Sequence, residues 1–189
     1  MSDTVVDIES MRFEGYVTVF QANPLGMIAV RGDLASKPFS TALKKAIGID
    51  LPKMRQIAKG DTSTLAWMSP DELLILSAWE HKTRLMTVIQ KALGKRHSMV
   101  ADVSDARMTF TLKGSNVREV IAKLAPVDLS PAGLEPGEVR RTRFGQISAA
   151  FWLVSQEEAT VICFRSFGDY MFKQLKAAAT PGSELDIWS

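Results

Sequence analysis

The chain has 189 residues, 46% of them hydrophobic and 23% charged, and its formal net charge is +2. This is ordinary globular composition, and so small a net charge predicts neither nucleic acid nor a membrane surface as a general partner. The single cysteine excludes an intrachain disulfide and a metal site made of cysteine pairs. The first ten residues carry three acids and lack the apolar segment of a signal peptide, so we expect a cytoplasmic protein.

The first half of the sequence alternates β-rich segments with amphipathic ones. After a polar N-terminal arm over residues 1–15, strands are predicted where β-branched and aromatic residues cluster, and helices where apolar residues recur every three or four positions. Ser36 and Pro38 indicate the start of the first helix, and Gly48 and Gly94 indicate the ends of the first two. The predicted strands are 16–20, 27–31, 64–68 and 72–77, the last two joined as a hairpin, and the second helix is 82–93.

The second half repeats this order of elements. A helix is predicted to begin after Asn116, with Glu119 three residues later in the position of a capping partner. The predicted strands are 99–103, 108–112, 145–154 and 159–164, and a last helix follows them. Each half therefore reads strand-strand-helix-strand-strand-helix.

The repeated order predicts an internally duplicated α+β fold. Its period is roughly 80 residues, which is longer than the units of solenoid proteins. Neither half has enough elements to cover its own sheet, so we expect the halves to pack on each other, with mixed sheets and with helices packed on them. We therefore predict a single domain over residues 16–189, made of two pseudo-repeats at about 16–95 and 98–179.

Residues 160–179, TVICFRSFGDYMFKQLKAAA, are predicted to form a buried strand that runs directly into an amphipathic helix. The apolar segment 161–164 is typical of a strand covered on both faces. Ser166 and Asp169 have the spacing of a capping box at the helix start. One apolar stripe is expected along this helix, made of Phe167, Tyr170, Met171, Leu175 and Ala178.

Groups able to carry chemistry are few in this sequence. His81 and His97 have no acid-rich cluster beside them and are interpreted as surface residues rather than metal ligands. Cys163 lies in an apolar strand and is expected to be a buried, unreactive thiol. No glycine-rich phosphate loop, serine nucleophile elbow or zinc-protease string occurs. A cluster of three arginines favours a polar edge or a subunit contact over a nucleic-acid patch: Arg140, Arg141 and Arg143.

Five residues are candidates for structural or interface roles. Arg165 and Asp169 lie four positions apart, which favours a local ion pair and helix cap, with a fixed contact to a partner subunit as the alternative. Tyr170 follows them in the same string. Trp67 lies in a predicted strand, and Trp188 is one residue from the end, where a large aromatic side chain is free or docked on a partner. No catalytic, cofactor-binding or metal-binding residue is assigned.

Four strings resemble the gamma subunit of bacterial heterotetrameric sarcosine oxidase. The string RSFGDY at 165–170 resembles RSFADY near the C-terminus of that family. WMSPDELL at 67–74 resembles its WLGPDEWL hairpin, DVSDAR at 102–107 resembles its DVSDGR string, and LAPVDL at 124–129 resembles the segment after its third helix. Their order and spacing match from about residue 27 to residue 178, which is nearly the whole chain.

The resemblance implies a fold similar to the folate-binding domain of the glycine-cleavage T-protein, which is itself an internal duplication. It also implies alpha, beta and delta subunits as partners, in an enzyme that oxidatively demethylates sarcosine to glycine, produces hydrogen peroxide and passes the one-carbon unit to tetrahydrofolate. FAD, FMN, NAD, zinc and tetrahydrofolate are expected on the other subunits and none of them on this chain. The chain itself is expected to support assembly without activity of its own.

Two alternatives stay open. A stand-alone tetrahydrofolate-binding aminomethyltransferase-like protein would need an acid aimed into a pocket at the junction of the halves. Relatives of the T-protein carry a catalytic aspartate on the strand after the glycine corresponding to Gly145, but residues 146–152, QISAAFW, contain no acid. The Lys-Gly-Cys-Tyr string of the related iron–sulfur assembly protein is not found either. The second alternative is a scaffold for a different amine dehydrogenase or oxidase.

Overall fold

The computed structural model describes residues 11–188 of the chain, which form eleven strands and four α-helices. The strands are β1 (Arg12–Glu14), β2 (Thr18–Gln21), β3 (Leu25–Gly32), β4 (Ile57–Lys59), β5 (Ser63–Ser69), β6 (Glu72–Ala78), β7 (Ser98–Asp102), β8 (Arg107–Lys113), β9 (Val139–Phe144), β10 (Ile147–Ser155) and β11 (Glu158–Phe164). The α-helices are α1 (Lys37–Ile47), α2 (Lys82–Leu93), α3 (Val117–Ala122) and α4 (Gly168–Ala178). One-turn 3-10 helices precede α2 and α4, at Trp79–His81 and Arg165–Phe167.

The chain divides into two compact units that do not follow the order of the sequence. Within the described residues, unit 1 consists of 11–23, 108–136 and 142–188, and unit 2 consists of 24–107 and 137–141. Each unit has its own sheet and its own hydrophobic core.

Unit 1 is built on a six-stranded sheet in the order β1-β2-β8-β11-β10-β9. Its core includes Phe144 and Phe151, which meet edge to face with 5.5 Å between ring centroids. Burying a side chain of this kind stabilises the fold by about 1.5–3 kcal/mol. Neither helix of the unit has a side-chain cap. The burial of their apolar residues in the core holds α3 and α4 in place. The buried helix residues are Val117, Val120 and Ile121 on α3 and Met171, Leu175 and Ala178 on α4.

Unit 2 is built on a five-stranded sheet in the order β4-β5-β6-β3-β7, in which every neighbouring pair is antiparallel. On one face, α1 and α2 pack against alternate strand residues to form the core. The intervening residues, on the opposite face, are buried as well, including Met27, Ala29, Leu74 and Leu76. Burial of both faces explains why these strands read as apolar runs rather than as alternations.

The two sheets share one plan, with a strand exchanged between the sequence halves. The order β4-β5-β6-β3 of unit 2 corresponds to β9-β10-β11-β8 of unit 1. The next strand of unit 2 is β7, from the start of the second half, and the next strand of unit 1 is β2, from the start of the first half. The predicted internal duplication is confirmed as an order of elements. The first half gives β1 and β2 to the sheet of unit 1, and the second half gives β7 to the sheet of unit 2.

Most predicted elements are confirmed, including the first helix start at Ser36 and the helix ends at Gly48 and Gly94. Gly48 has a φ of 74°, a left-handed conformation that glycine adopts without steric strain. The predicted strands omit β1, β4 and β9. β1 and β4 have three residues each, too few to show a period, and the middle of β9 is polar, VRRTRF. β1 lies inside the predicted N-terminal arm and pairs with β2, whereas the rest of that arm, residues 1–10, is outside the described residues.

The predicted capping boxes are wrong. α4 begins at Gly168, after the 3-10 helix, and no side chain of the Ser166–Asp169 pair caps it. At α3, Asn116 is the N-cap residue, but its side chain makes no cap bond, and Glu119 is occupied by a different set of partners. At neither helix start does a side chain of the suggested pair accept a capping hydrogen bond.

The apolar stripe of α4 is narrower than predicted. Met171, Leu175 and Ala178 are buried, as expected, whereas Phe167 and Tyr170 are exposed. Phe167 lies in the 3-10 helix and Tyr170 in the first turn of α4, and the side chains of this segment do not face the core.

Candidate partner-binding surface

Three aromatic side chains within seven residues stand on the surface of unit 1. Phe164 is the last residue of β11, Phe167 ends the 3-10 helix and Tyr170 is in the first turn of α4. Their exposed fractions are 42%, 48% and 43%. Clustered exposed aromatic residues are typical of protein–protein interfaces rather than of free surface. We call Phe164, Phe167 and Tyr170 the aromatic face.

Gly168 lies between Phe167 and Tyr170 in the sequence and, unlike them, is buried. Its Cα lies against β8, and a Cβ at this position would stand 2.3 Å from Met108 Sδ. The first turn of α4 therefore lies close to the sheet while its neighbours, Phe167 and Tyr170, remain outside. The similar string of the gamma subunits has alanine here, so the close contact with Met108 goes with the glycine of this sequence.

Arg165 and Asp169 border the aromatic face and are both exposed. Asp169 is in the first turn of α4, where a negative charge interacts favourably with the helix dipole. Whether the two residues form a local pair or contact a partner remains a prediction.

The tryptophans occupy different environments. Trp67, in β5, is partly buried against the core of unit 2, and Trp152, in β10, is buried. Trp79 is partly exposed and stacks under Lys82, whose Nζ is 3.7 Å from the ring centroid. Trp188 is exposed. Of the two tryptophans singled out from the sequence, Trp67 is placed in packing and Trp188 on the surface.

Residues 183–188, which we call the C-terminal strap, are fixed to unit 1 by a buried carboxylate. Glu119 of α3 is only 3% exposed, and its side chain accepts hydrogen bonds from the backbone N–H groups of Leu185 (2.5 Å) and Asp186 (3.1 Å). The Tyr16 hydroxyl also donates to Glu119, at 3.2 Å. Burial opposes ionisation of Glu119, but these hydrogen bonds and the charge of Lys123 outweigh it, so that the pKa of Glu119 lies below its ordinary value.

Lys123 completes the attachment of the strap from the next turn of the chain. Its Nζ donates to the Tyr16 hydroxyl at 2.7 Å and to the backbone carbonyl of Ala178 at 3.1 Å, and it also donates to the backbone carbonyl of Ser183. Burial raises the pKa of Tyr16 despite the nearby ammonium group. The strap is thus held at Ser183, Leu185 and Asp186, yet it exposes three apolar side chains: Leu185, Ile187 and Trp188. Sequence reasoning missed this cluster because Glu119 matched the capping spacing.

A profile of the family described as "Sarcosine oxidase, gamma subunit family" matches residues 31–181. The chain belongs to this family. The profile covers all four strings that carry the resemblance, so the family inferred from them is confirmed.

The fold agrees with this assignment. The structure is similar to a chain of the heterotetrameric sarcosine oxidase from Corynebacterium sp. U-96 in complex with pyrrole 2-carboxylate, with a TM-score of 0.83 and 24% identity over 95% of this chain and 93% of that chain. It is also similar to the glycine cleavage system aminomethyltransferase T from Bartonella henselae, with a TM-score of 0.63 and 15% identity over 83% of this chain and 44% of that chain. The expected likeness to the T-protein fold is therefore confirmed. Among curated proteins, no match was found.

One of the gamma-subunit strings, DVSDAR, has a structural role in unit 2. The Ser104 hydroxyl accepts a hydrogen bond from the backbone N–H of Met27 (2.8 Å) and donates to Asp102 (2.5 Å). Asp102 also pairs with Lys82 at 3.1 Å. Burial disfavours ionised Asp102, but the bonds from Ser104 and Lys82 prevail and hold its pKa below the ordinary value. The string fixes the turn after β7 to the start of α2 and to β3.

Another string, LAPVDL, belongs to a loop that a buried arginine organises in unit 1. The Arg118 guanidinium donates to the backbone carbonyls of Leu129 (3.0 Å) and Leu134 (2.8 Å), and to the side chain of Gln156 at 2.7 Å. Burial lowers the pKa of Arg118. Five donors in a rigid fork suit this role, since one side chain closes a long loop with several carbonyls.

The groups that could support chemistry are dispersed. His81 and His97 are both exposed, and Cys163 is buried in the core of unit 1. Within residues 11–188, no group of three or more His, Cys, Asp or Glu side chains could hold a metal ion. None of the helices in this part of the chain has the length and apolar content of a membrane span.

Tetrahydrofolate chemistry of the T-protein kind does not fit the residues of this family member. The strand after Gly145 is β10, ISAAFWLVS, and it has no acidic side chain. The catalytic aspartate that the T-protein relatives carry on this strand therefore has no equivalent on β10.

The arginine cluster lies on the edge strand β9, in agreement with the interpretation as a polar edge. Arg140 pairs with Glu138 at 3.1 Å, and Arg141 pairs with Glu72 at 3.5 Å, so two of the three charges are used within unit 2. Arg143 is exposed.

Proposed function

We propose that this chain is the non-catalytic gamma subunit of a heterotetrameric sarcosine oxidase and supports assembly with the alpha, beta and delta subunits. The complex oxidatively demethylates sarcosine to glycine, forms hydrogen peroxide and passes the one-carbon unit to tetrahydrofolate. In this proposal FAD, FMN, NAD, zinc and tetrahydrofolate are bound by the other subunits, and the complex is cytoplasmic. The observation that carries the proposal is the exposure of the aromatic face, of which Phe167 and Tyr170 lie in the family string at 165–170.

The aromatic face has the chemistry of a binding hot spot. Phe164, Phe167 and Tyr170 combine large apolar area with few rotatable bonds, and removal of that area from water favours association. Arg165 and Asp169 border the aromatic residues and supply the polar rim that such interfaces have. Aromatic residues most often serve to pack a core. The exposure of these three side chains argues against that role here.

The C-terminal strap supports the same proposal as a second contact. Its backbone is already fixed by Glu119 and Lys123, so the entropy lost when a partner binds its exposed apolar side chains is small. A preorganised apolar segment with no role in its own core is suited to association with another chain.

The proposal is tested by co-expression of the tagged chain with the alpha, beta and delta subunits. The double variant Phe167→Ala/Tyr170→Ala removes most of the aromatic face, and Met54→Ala/Met99→Ala removes exposed apolar side chains of unit 2 as a matched control. We expect the first variant to retain the other subunits roughly thirtyfold less well, as for loss of a hot spot, with an unchanged melting temperature of the isolated chain. Equal recovery with both variants would show that the aromatic face is not the contact.

The alternative, a stand-alone tetrahydrofolate-binding aminomethyltransferase-like protein, predicts a different result. Titration calorimetry of the isolated chain with tetrahydrofolate should give no binding under the proposed function. Tight, stoichiometric binding by the chain alone would favour the alternative. Failure of the wild-type chain to recover any other subunit would contradict the proposed function itself.

A further inference from the structure

The helical layer of unit 2 has an unusual distribution of charge. Residues 37–49 and 82–98, which contain α1, α2 and the turn after α2, carry eight lysines and arginines and no aspartate or glutamate. Both helices of unit 1 contain an acid, Glu119 on α3 and Asp169 on α4. In a chain with a net charge of only +2, the positive charge of this layer is a local concentration.

An open groove of about 870 Å³ runs between α1 and α2. Its apolar floor is made of Ala42 and Ala46 on α1 and of Val88 and Ala92 on α2. Each pair is four residues apart and so lies on one side of its helix. Because three of the four side chains are only methyl groups, another backbone can approach closely, and Val88 is 40% exposed.

Among the described residues, the charged side chains around this floor are all cations: Lys37, Lys45, Lys91 and Arg96. Within residues 11–188, the ammonium groups of Lys37, Lys45 and Lys91 form no ion pair, whereas Lys44 and Lys82 do. Arg96 donates to the last carbonyls of α2, at Ala92 and Leu93, which holds its guanidinium at the end of the groove. The rim is therefore positively charged, and the ammonium groups of its lysines are not paired with any acid of the described part of the chain.

The groove continues beyond Ala46 and Val88 into a second pocket of about 340 Å³. Arg84 and the hydroxyl-bearing residues Ser63 and Ser77 line this pocket. Its position extends the cationic surface along the helix pair, which suits an elongated occupant better than a single small molecule.

We propose that the α1–α2 groove binds an acidic amphipathic helix of a partner protein. This inference rests on the proposed function, under which the helix belongs to another subunit of the complex. Apolar residues at helical spacing would lie on the alanine-rich floor, and flanking Asp or Glu residues would meet the lysines of the rim. A nucleic acid would gain from the same cations, but none of the described lining residues is an aromatic on which its bases could stack.

The test combines charge reversal with photo-crosslinking in the assembled complex. Lys45→Glu/Lys91→Glu reverses two rim charges, and Lys53→Glu/Lys59→Glu makes the same change at exposed lysines outside the groove and outside the helical layer. We expect the rim variant to retain the other subunits about ten- to thirtyfold less well at low salt, with a smaller difference at high salt, and the control to behave like the wild type. Lys45→Gln/Lys91→Gln provides a milder variant, because glutamate near a helix C-terminus also weakens the helix.

A benzoylphenylalanine at Thr41, an exposed lining residue, identifies the occupant by mass spectrometry. A crosslink to an acidic helical segment of another subunit would support the inference. A crosslink to nucleic acid, to residues 1–10 of this chain or to a segment without acids would overturn it, as would a complex that forms without any crosslink. If the wild-type chain recovers no other subunit, the proposed function fails first; if it does and both lysine pairs behave alike, only the groove inference fails.

Discussion

The buried carboxylate of Glu119 accepts a hydrogen bond from the backbone N–H of Leu185, 2.5 Å away and 66 residues later in the sequence. Removal of this acceptor should release the C-terminal strap. In Glu119→Ala, two backbone N–H groups lose their acceptor and the Lys123 ammonium group loses the nearby carboxylate, so the free energy of unfolding should fall by roughly 2–3 kcal/mol. Thermal unfolding measures this, and hydrogen exchange at Leu185 and Asp186 should accelerate. Glu157 is an exposed acid in the turn between β10 and β11. Glu157→Gln is therefore the control and should change neither the melting temperature nor hydrogen exchange in the strap.

The same carboxylate predicts how strap attachment depends on pH. The pKa of folded Glu119 lies below its ordinary value of about 4.3, so its stabilising effect is complete above that value and is lost as pH falls through the folded-state pKa. The difference in unfolding free energy between wild type and Glu119→Gln should therefore shrink as the pH is lowered from about 7 to about 3. A difference that is constant over this range would show that the charge of Glu119 is not what holds the strap.

Ser104 and Ser166 make a matched pair of serines for the roles of the family strings. Ser104 is buried and joins Met27 to Asp102, so Ser104→Ala should destabilise unit 2 by about 1–3 kcal/mol. Ser166 is exposed and caps no helix, so Ser166→Ala should lack the loss of about 1 kcal/mol that removal of an N-cap causes. Denaturant unfolding of both variants checks the comparison. A loss at Ser166 equal to that at Ser104 would restore the capping-box interpretation.

Gly168 predicts a coupling with Met108. Alanine favours a helix over glycine by about 1 kcal/mol, but its Cβ would collide with Met108 Sδ, so Gly168→Ala alone should be close to neutral. With Met108→Ala the collision is absent, and the same substitution should then stabilise by about 1 kcal/mol. A double-mutant cycle of unfolding free energies measures the coupling. Additive effects would mean that Met108 moves aside without strain.

The sequence carries enough information for the elements and the family, because strand composition, helix periodicity and glycine stops are local. Ser36, Gly48 and Gly94 mark helix boundaries that the structure has. The surface is less predictable. Helical periodicity places Phe167, Tyr170 and Met171 on one apolar stripe, although only Met171 is buried. The orientation of α4 depends on its contact with β8, which the periodicity does not contain.

The buried polar clusters could not be predicted for a related reason. Glu119 has the local spacing of a capping partner, but its hydrogen-bond partners come from the other end of the sequence. The strand exchange is equally invisible, since a pattern shows that β2 and β7 are strands but not which sheet each one joins.

That exchange sets an order for synthesis on the ribosome. All five strands of the unit 2 sheet lie between Leu25 and Asp102, so this sheet can form as soon as that segment has emerged. β2 is synthesised earlier, but its partner β8 lies about ninety residues later in the sequence, and the pairing of such distant strands is slow. The nascent protein therefore carries an N-terminal β1–β2 hairpin whose other edge is unpaired, and an exposed strand edge of this kind is prone to aggregation until β8 has emerged.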